Sequence, residues 1–461
     1  MIKVDSELLA RHDRPGPRYT SYPTAVEFSE DVGPGEYAER LAAAAARPDQ
    51  PLSLYVHLPF CEARCSFCAC HVVITKRPEI SDAYLGRVVA EADLLADGLA
   101  DRREVVQYHW GGGTPTHYSP EVMVELHTAL ARRFKIAPEA ELAIEVDPRV
   151  TTTEHLEALA PLGFNRISLG VQDLNAEVQR LIGRDQTKEE TVSLYRDARR
   201  LGFSSINFDL IYGLPGQDES TLTETLDTVI DLRPDRLAVY SFAFVPWMRP
   251  HQKRLDEDLL PGTDAKFALL ALVVSALTAA GYVQIGMDHF ALPDDELALA
   301  LAAGTLNRNF MGYTTKRDTE MVALGTSGIS DVAGAYAQNH RRLASYYQSV
   351  ERGELPIERG YRLTVDDEIR RYVITELMCN GLVDFAAAGR RFGVDGTSYF
   401  DAELAELAAP GGLIEEGMAS IDGLRVRTTE LGALFVRRVA AVFDAHTRRQ
   451  TGDGPMFSKT V

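Results

Sequence analysis

Ten residues, Cys61-Glu62-Ala63-Arg64-Cys65-Ser66-Phe67-Cys68-Ala69-Cys70, hold four of the chain's five cysteines. Thiolates this close repel one another unless a cation or a cluster absorbs their charge. The first three are spaced C-x3-C-x2-C, and the fourth follows one residue later. An iron–sulfur cluster is bridged by cysteines on one loop at such short spacings. Three thiolates on a four-iron cube leave one iron open to an outside ligand, which is a catalytic arrangement. A zinc site, which needs four ligands and is usually closed, is one alternative. A disulfide is the other, and compartment weighs against it. The first twenty residues are polar, with Arg11, Asp13, Arg14 and Arg18, and no export signal is read there. The expectation is a cytoplasmic chain with reduced thiols.

At 461 residues the chain is long enough for two or three domains. Its formal net charge of −19 disfavours nucleic acid as a partner, because that needs basic surface. An anionic substrate would need positive charge gathered locally, in the site. The longest apolar run, residues 267–280, contains Ser275 and Thr278 and follows Lys266. It is too short to span a bilayer and reads as a buried helix, so no membrane insertion is expected.

Residues 1–50 form an N-terminal arm whose prolines, tyrosines and Arg18 (16–24) predict an ordered, non-helical segment. It packs on the surface as a strap or closes over a site. Strands are predicted at 52–58, 105–110, 142–146, 166–171, 206–212 and 236–244, with helices between them. Ser119-Pro120-Glu121 opens one helix, and Thr187 with Glu190 forms a capping box on another. Alternation of this kind means an α/β fold with a parallel sheet and right-handed crossovers. An open or closed β/α barrel is expected, with a doubly wound sheet as the alternative, and in both the site lies at the carboxyl ends of the strands. Residues 51–340 form this unit, its last fifty being loops that return towards the site. Residues 341–461 read as a small, mostly helical domain with a hairpin, winged-helix-like in pattern.

C-x3-C-x2-C with Phe67 before the third cysteine resembles the signature of radical S-adenosylmethionine enzymes. Further motifs narrow the resemblance: Gly-Pro-Arg-Tyr-Thr-Ser-Tyr-Pro-Thr at 16–24, His-Trp-Gly-Gly-Gly-Thr-Pro-Thr at 109–116, Glu-Val-Asp-Pro-Arg at 145–149 and Gly-Val-Gln-Asp at 170–173. Asp-Leu-Ile-Tyr-Gly-Leu-Pro at 209–215, Gly-Met-Asp-His-Phe-Ala at 286–291 and the ending Phe457-Ser458-Lys459 extend it over nearly the whole chain. Together they resemble the oxygen-independent coproporphyrinogen III oxidase family. The resemblance implies a partial (β/α)6 radical SAM barrel with an arm and a small C-terminal domain. It implies that Cys61, Cys65 and Cys68 hold a 4Fe-4S cluster, with S-adenosylmethionine on the open iron as the source of a deoxyadenosyl radical. Two molecules of S-adenosylmethionine are implied. Tyr55, Gly112, Glu145 and Ile329 surround the first; Phe67, Gly113, Thr114, Gln172, Arg184, Asp209 and Ala243 surround the second. Cys70 and Tyr55 take catalytic roles.

The implied reaction removes carbon dioxide, a hydrogen atom and an electron from each of two propionates of a tetrapyrrole, coproporphyrinogen III, leaving vinyl groups. An electron donor for the cluster and an electron acceptor are implied partners, and a monomer is expected. Arg18, Arg149, Arg184, Arg308 and Lys316 are the candidates to receive carboxylates. One residue departs from the family pattern: Met311 stands after Asn309-Phe310 where glutamine is expected, which removes a polar group from the second S-adenosylmethionine site. Two rivals share the cysteine loop: a haem chaperone, usually shorter and without the arm or the fourth cysteine, and a methyltransferase or cyclopropane-forming enzyme.

Overall fold

The computed structural model describes residues 14–447, together with Leu8, Arg11 and His12; the motif at Phe457-Ser458-Lys459 lies outside the described residues. Six strands alternate with helices as the sequence predicts. They are β1 (Leu52–Leu58), β2 (Glu104–Gly112), β3 (Lys135–Val146), β4 (Arg166–Gln172), β5 (Ser205–Tyr212) and β6 (Arg236–Ser241). All five neighbouring pairs are parallel, in chain order. Their carboxyl ends therefore share one rim, as right-handed crossovers require. The helix Pro120–Ala131 starts where Ser119 accepts from the Val122 amide, and Thr187 and Glu190 close a capping box before Lys188–Arg200.

The sheet extends beyond these six. Residues 291–340, expected as loops, contain β9 (Glu320–Leu324), β10 (Ile329–Val332) and β11 (Ala335–Asn339), after β7 (Val283–Gln284) and β8 (His289–Ala291) at the opposite edge. With β12 (Ile357–Arg362), the sheet has twelve strands in the order β12-β11-β10-β9-β1-β2-β3-β4-β5-β6-β8-β7. It stays open, and β9 lies parallel beside β1. These added strands are three to six residues long apart from two-residue β7, with glycines between several of them, so little alternation is available to read. The main sheet thus continues past residue 340 into β12. Two other strand ends differ from expectation. β3 begins at Lys135, because Lys135 and Ile136 pair with β2 before a bulge around Pro138. β6 stops at Ser241, where the chain turns towards Pro246.

Residues after β12 form a unit of one long helix, Val365–Asn380, and several short ones with a three-stranded antiparallel sheet, Leu382–Asp384, Arg425–Thr428 and Ala419–Asp422. The arm is stitched between this unit and the barrel. Tyr19 donates to Asp444 at 3.0 Å, the Tyr22 hydroxyl accepts from the Ala445 amide at 3.1 Å, and Tyr336 donates to the Tyr22 carbonyl at 3.0 Å. Arg18 pairs with Asp288, just before β8. Both tyrosines are buried in the core shared with the sheet, so this segment is a packed strap. The helix Thr263–Ala279 packs on Glu219–Leu232, and no described helix is long and apolar enough to cross a membrane.

One buried carboxylate ties the outer strands to the helix Pro78–Leu99. Glu91 accepts from Asn339 at 2.5 Å, from the Gly325 amide at 2.7 Å and from Tyr346 at 2.6 Å. Burial pushes its pKa up to about 7, although these donors oppose the rise. The folded chain therefore keeps a proton that the unfolded chain releases near its ordinary pKa. The stability linked to this proton is complete at low pH and lost as pH rises through about 7. Glu91→Gln should gain on the wild type by roughly 3 kcal/mol between about pH 4 and about pH 8, measured by urea unfolding. A difference independent of pH would contradict this.

Candidate active site

The cysteine loop leaves the end of β1 and is closed on itself. Phe60–Cys61 pairs in parallel with Val73–Ile74, and Arg64 donates to the Val72 carbonyl at 3.1 Å. The Ser66 amide donates to the Ile182 carbonyl at 2.9 Å, which pins the loop to the end of β4's following helix. From the far side His251 bonds the Cys68 carbonyl at 2.7 Å. Buried Gln252 donates to the carbonyls of both Phe67, at 3.2 Å, and Ala243, at 3.1 Å.

The glycine run at the end of β2 makes room for this loop. A Cβ on Gly113 would stand 2.5 Å from the Pro59 carbonyl carbon, and one on Gly112, whose φ is +112°, would enter the His57 ring. The Gly113 amide donates to Leu58 and the Thr114 amide to Phe60, both at 2.9 Å, so the two loops are zipped together. The Thr114 hydroxyl lies 3.4 Å from the Cys61 sulfur. Burial lowers the pKa of His57 to about 4, so its ring is neutral. Its Nε2–H donates to the His71 carbonyl at 3.1 Å, which leaves Nδ1 to accept from the Tyr55 hydroxyl at 3.1 Å.

Two guanidiniums face the middle cysteine. Arg184 approaches the Cys65 sulfur at 3.5 Å and Arg149 at 3.6 Å. Asp147, at the end of β3, pairs with Arg149 at 2.6 Å and Arg184 at 3.0 Å and so aims both. Burial alone would raise the pKa of Asp147; the two guanidiniums hold it below its ordinary value. Burial pushes the Cys61 thiol up to about 11, whereas a hydrogen bond with Cys70 pulls Cys68 down. Positive charge beside a cysteine favours the thiolate, the form that binds metal. Among the described residues no three His, Cys, Asp or Glu side chains converge on one point. The three thiols of one loop, the glycine cradle and the paired arginines fit an iron–sulfur cluster, which Cys61, Cys65 and Cys68 would hold.

The remaining expected residues fall around this loop in two groups. Tyr55 pairs with His109 and Ala323 in the sheet, and the antiparallel register of β9 with β10 brings Ile329 abreast of Ala323. Glu145 accepts from the Gly112 amide at 3.1 Å and from His109 at 3.2 Å. Tyr55, Gly112, Glu145 and Ile329 are thus drawn together. In the second group, the side chains of Gln172 and Arg184 both lie over Gly170, which pairs with Asp209. Gly113 and Thr114 adjoin the loop, and Gln252 joins Phe67 to Ala243.

Inside the sheet's curve lies a cavity of about 130 Å³, lined in part by Glu145, Asp209, Tyr240, His289, Met311 and Tyr313. Met311 therefore faces the cavity, while Phe310 packs edge-on against Tyr336 in a separate recess beneath the arm. Burial raises Asp209 to about 6, and the Glu145 charge adds to the rise despite bonds from Ser168 and Asn207. Four of the five expected carboxylate receivers are already engaged. Arg18 pairs with Asp288, Arg149 and Arg184 pair with Asp147, and Arg308 donates to the Arg18 carbonyl at 2.8 Å and lies over Tyr313. The sequence reading missed His57, His251 and Gln252 as parts of the site. No sequence signal marks these three, whereas Asp147 stands at a strand end, where the strand-end rule places the site.

A family model described as the Radical SAM superfamily matches residues 55–229. The oxygen-independent coproporphyrinogen III oxidase of Salmonella typhimurium is 44% identical over 460 residues, covering 100% of this chain and 99% of that protein. The protein of the same name from Helicobacter pylori is 41% identical over 467 residues, with 100% of both covered. A solved structure of coproporphyrinogen III oxidase from Escherichia coli, described as a radical SAM enzyme, matches with a TM-score of 0.89 and 42% identity, over 93% of this chain and 97% of that one.

Gly113→Ala should leave the chain folded but force the two zipped loops apart. Anaerobic reconstitution of this variant is expected to bind less than a third of the wild-type iron and sulfide. Full loading would show that the close approach at Gly113 is not needed to shape the loop.

Proposed function

The chain belongs to the oxygen-independent coproporphyrinogen III oxidase family of radical SAM enzymes, and from this premise we propose how its strand-end site serves that activity. The enzyme converts two propionates of coproporphyrinogen III to vinyl groups, giving protoporphyrinogen IX for haem synthesis. The observation that carries the assignment to this site is the seat of the cysteine loop, at the end of β1 under buried Arg184 and half-buried Arg149. Cys61, Cys65 and Cys68 would hold a 4Fe-4S cluster. With S-adenosylmethionine bound, this group supplies the radical chemistry that takes a hydrogen atom from a propionate, after which carbon dioxide and one electron leave.

The chain's own residues supply charge, shape and proton placement. Arg149 and Arg184 offset negative charge at Cys65, and Asp147 keeps them aimed. Gly112 and Gly113 let a ligand or the loop approach the backbone. Glu145, held by the Gly112 amide and His109, offers acceptors to a ribose or an ammonium group. Together with Tyr55, Gly112 and Ile329 it forms the proposed first S-adenosylmethionine site. Phe67, Gly113, Thr114, Gln172, Arg184, Asp209 and Ala243 form a proposed second. Tyr55, its proton fixed on His57, and exposed Cys70, bonded with Cys68, take the catalytic roles. The reading includes a cytoplasmic monomer, one external electron donor and one acceptor.

Anaerobic incubation of reconstituted protein with reductant, S-adenosylmethionine, coproporphyrinogen III and cell extract should yield protoporphyrin after oxidation. Cys65→Ser should lower that yield at least a thousandfold. Cleavage of S-adenosylmethionine without protoporphyrin would overturn the substrate assignment. An intact cluster with neither product would point to a haem chaperone.

A further inference from the structure

Four arginines of this acidic chain gather in one cleft beside the cysteine loop and have no use in the scheme above. Arg249, Arg341, Arg342 and Arg359 line one open cleft with His71 and a single carboxylate, Glu358. Counting its water-filled mouth, the cleft encloses about 1130 Å³, ample for part of a small-molecule ligand. Glu358 is taken by Arg341, whose amide donates at 3.0 Å and whose guanidinium reaches it at 3.3 Å. Arg359 donates to Gln338 at 2.8 Å and lies over the Phe28 ring. Arg249 and Arg342 make no ion pair among the described residues. Four guanidiniums against one carboxylate is a repulsive arrangement, which an anionic ligand would relieve.

Position shows what kind of anion it faces. His71 directly follows Cys70, and its carbonyl is the one that receives the His57 proton. Arg249 stands two residues before His251, which bonds the Cys68 carbonyl. Next to Arg249 are Trp247 and Met248, 56% and 53% exposed, two of the largest apolar side chains left in water. Forked cations beside an aromatic ring and a thioether suit a flat apolar ligand that carries carboxylates.

We infer that this cleft binds the propionates of the tetrapyrrole that do not react, with Trp247 and Met248 against the macrocycle, which rests on the oxidase reading above. Two of the four propionates keep their carboxylates throughout the reaction. Anchoring them would fix which two reach the site, and the carboxylate receivers expected from sequence are mostly engaged elsewhere.

The test uses reconstituted enzyme and the pair Arg249→Ala/Arg342→Ala, beside Arg249→Lys/Arg342→Lys. Among the described residues neither side chain has an ion-pair partner to lose, so both variants should fold. Coproporphyrin III, the stable oxidised form with the same four propionates, is titrated by fluorescence, and KM and kcat are measured with coproporphyrinogen III. The alanine pair should raise Kd and KM about tenfold or more and leave substrate-free cleavage of S-adenosylmethionine under dithionite unchanged. The lysine pair should recover most of the affinity. Etioporphyrin, which has no propionates, should bind wild type and variants alike. Unchanged Kd and KM in the alanine pair would overturn the inference. So would a loss seen only when an acidic electron-carrier protein replaces dithionite, which would make the cleft a docking surface for the donor. Wild type that binds coproporphyrin III but fails to convert the porphyrinogen, with a weakened alanine pair, would support the cleft and overturn the oxidase reading. Wild type that binds no coproporphyrin would overturn both.

Discussion

Thiols crowded into ten residues repel one another once ionised, and the site is built around opposing that repulsion. The counter-charge does not come from the loop itself. It comes from Arg149, three residues beyond β3, and from Arg184, after β4, both held by Asp147. These residues are 84 and 119 positions from Cys65, so the loop's chemistry exists only after the parallel sheet has formed. Parallel order brings successive strand ends to one rim. Loop and sheet thus depend on each other through one ion-pair triad.

The strap and the outer strands serve the same rim from behind. Arg18 is fixed on Asp288, whose pKa burial alone would raise but which this charge holds below its ordinary value. Arg308 then holds the Arg18 carbonyl, and Tyr19 and Tyr22 anchor in the C-terminal unit. The strap therefore fastens the edge of the sheet to the following unit. At the other edge Glu91 joins helix, β11 and the turn before β10, so Ile329 is fixed relative to Tyr55.

Features with strong local periodicity were legible in the sequence. Strands β1, β2, β4 and β5 alternate or run apolar between clear helix caps, and the strand-end rule gathered the cysteine loop, the glycine run, Glu145, Asp147, Gln172, Asp173, Asp209 and Ala243. The added strands β9 to β12 escaped because four to six residues carry too little pattern. His57, His251 and Gln252 escaped because their roles are contacts made across the fold. Each bonds the backbone of the cysteine loop, and backbone partners leave no trace in residue type. The carboxylate receivers were chosen by residue type alone, and four of the five prove to have partners within the fold. The less conspicuous arginines at 249 and 342 make no ion pair among the described residues.

The central claim is that Cys61, Cys65 and Cys68, and not Cys70, hold one four-iron cluster. The most direct measurement is iron and acid-labile sulfide content, with electron paramagnetic resonance of the reduced protein, after anaerobic reconstitution of the four single Cys→Ser variants. The account predicts about four irons and four sulfides per chain in wild type and in Cys70→Ser, with a signal altered by S-adenosylmethionine in the wild type. Cys61→Ser, Cys65→Ser and Cys68→Ser should each lose most of the metal. Equal loss in Cys70→Ser, or a single bound zinc in the wild type, would contradict it.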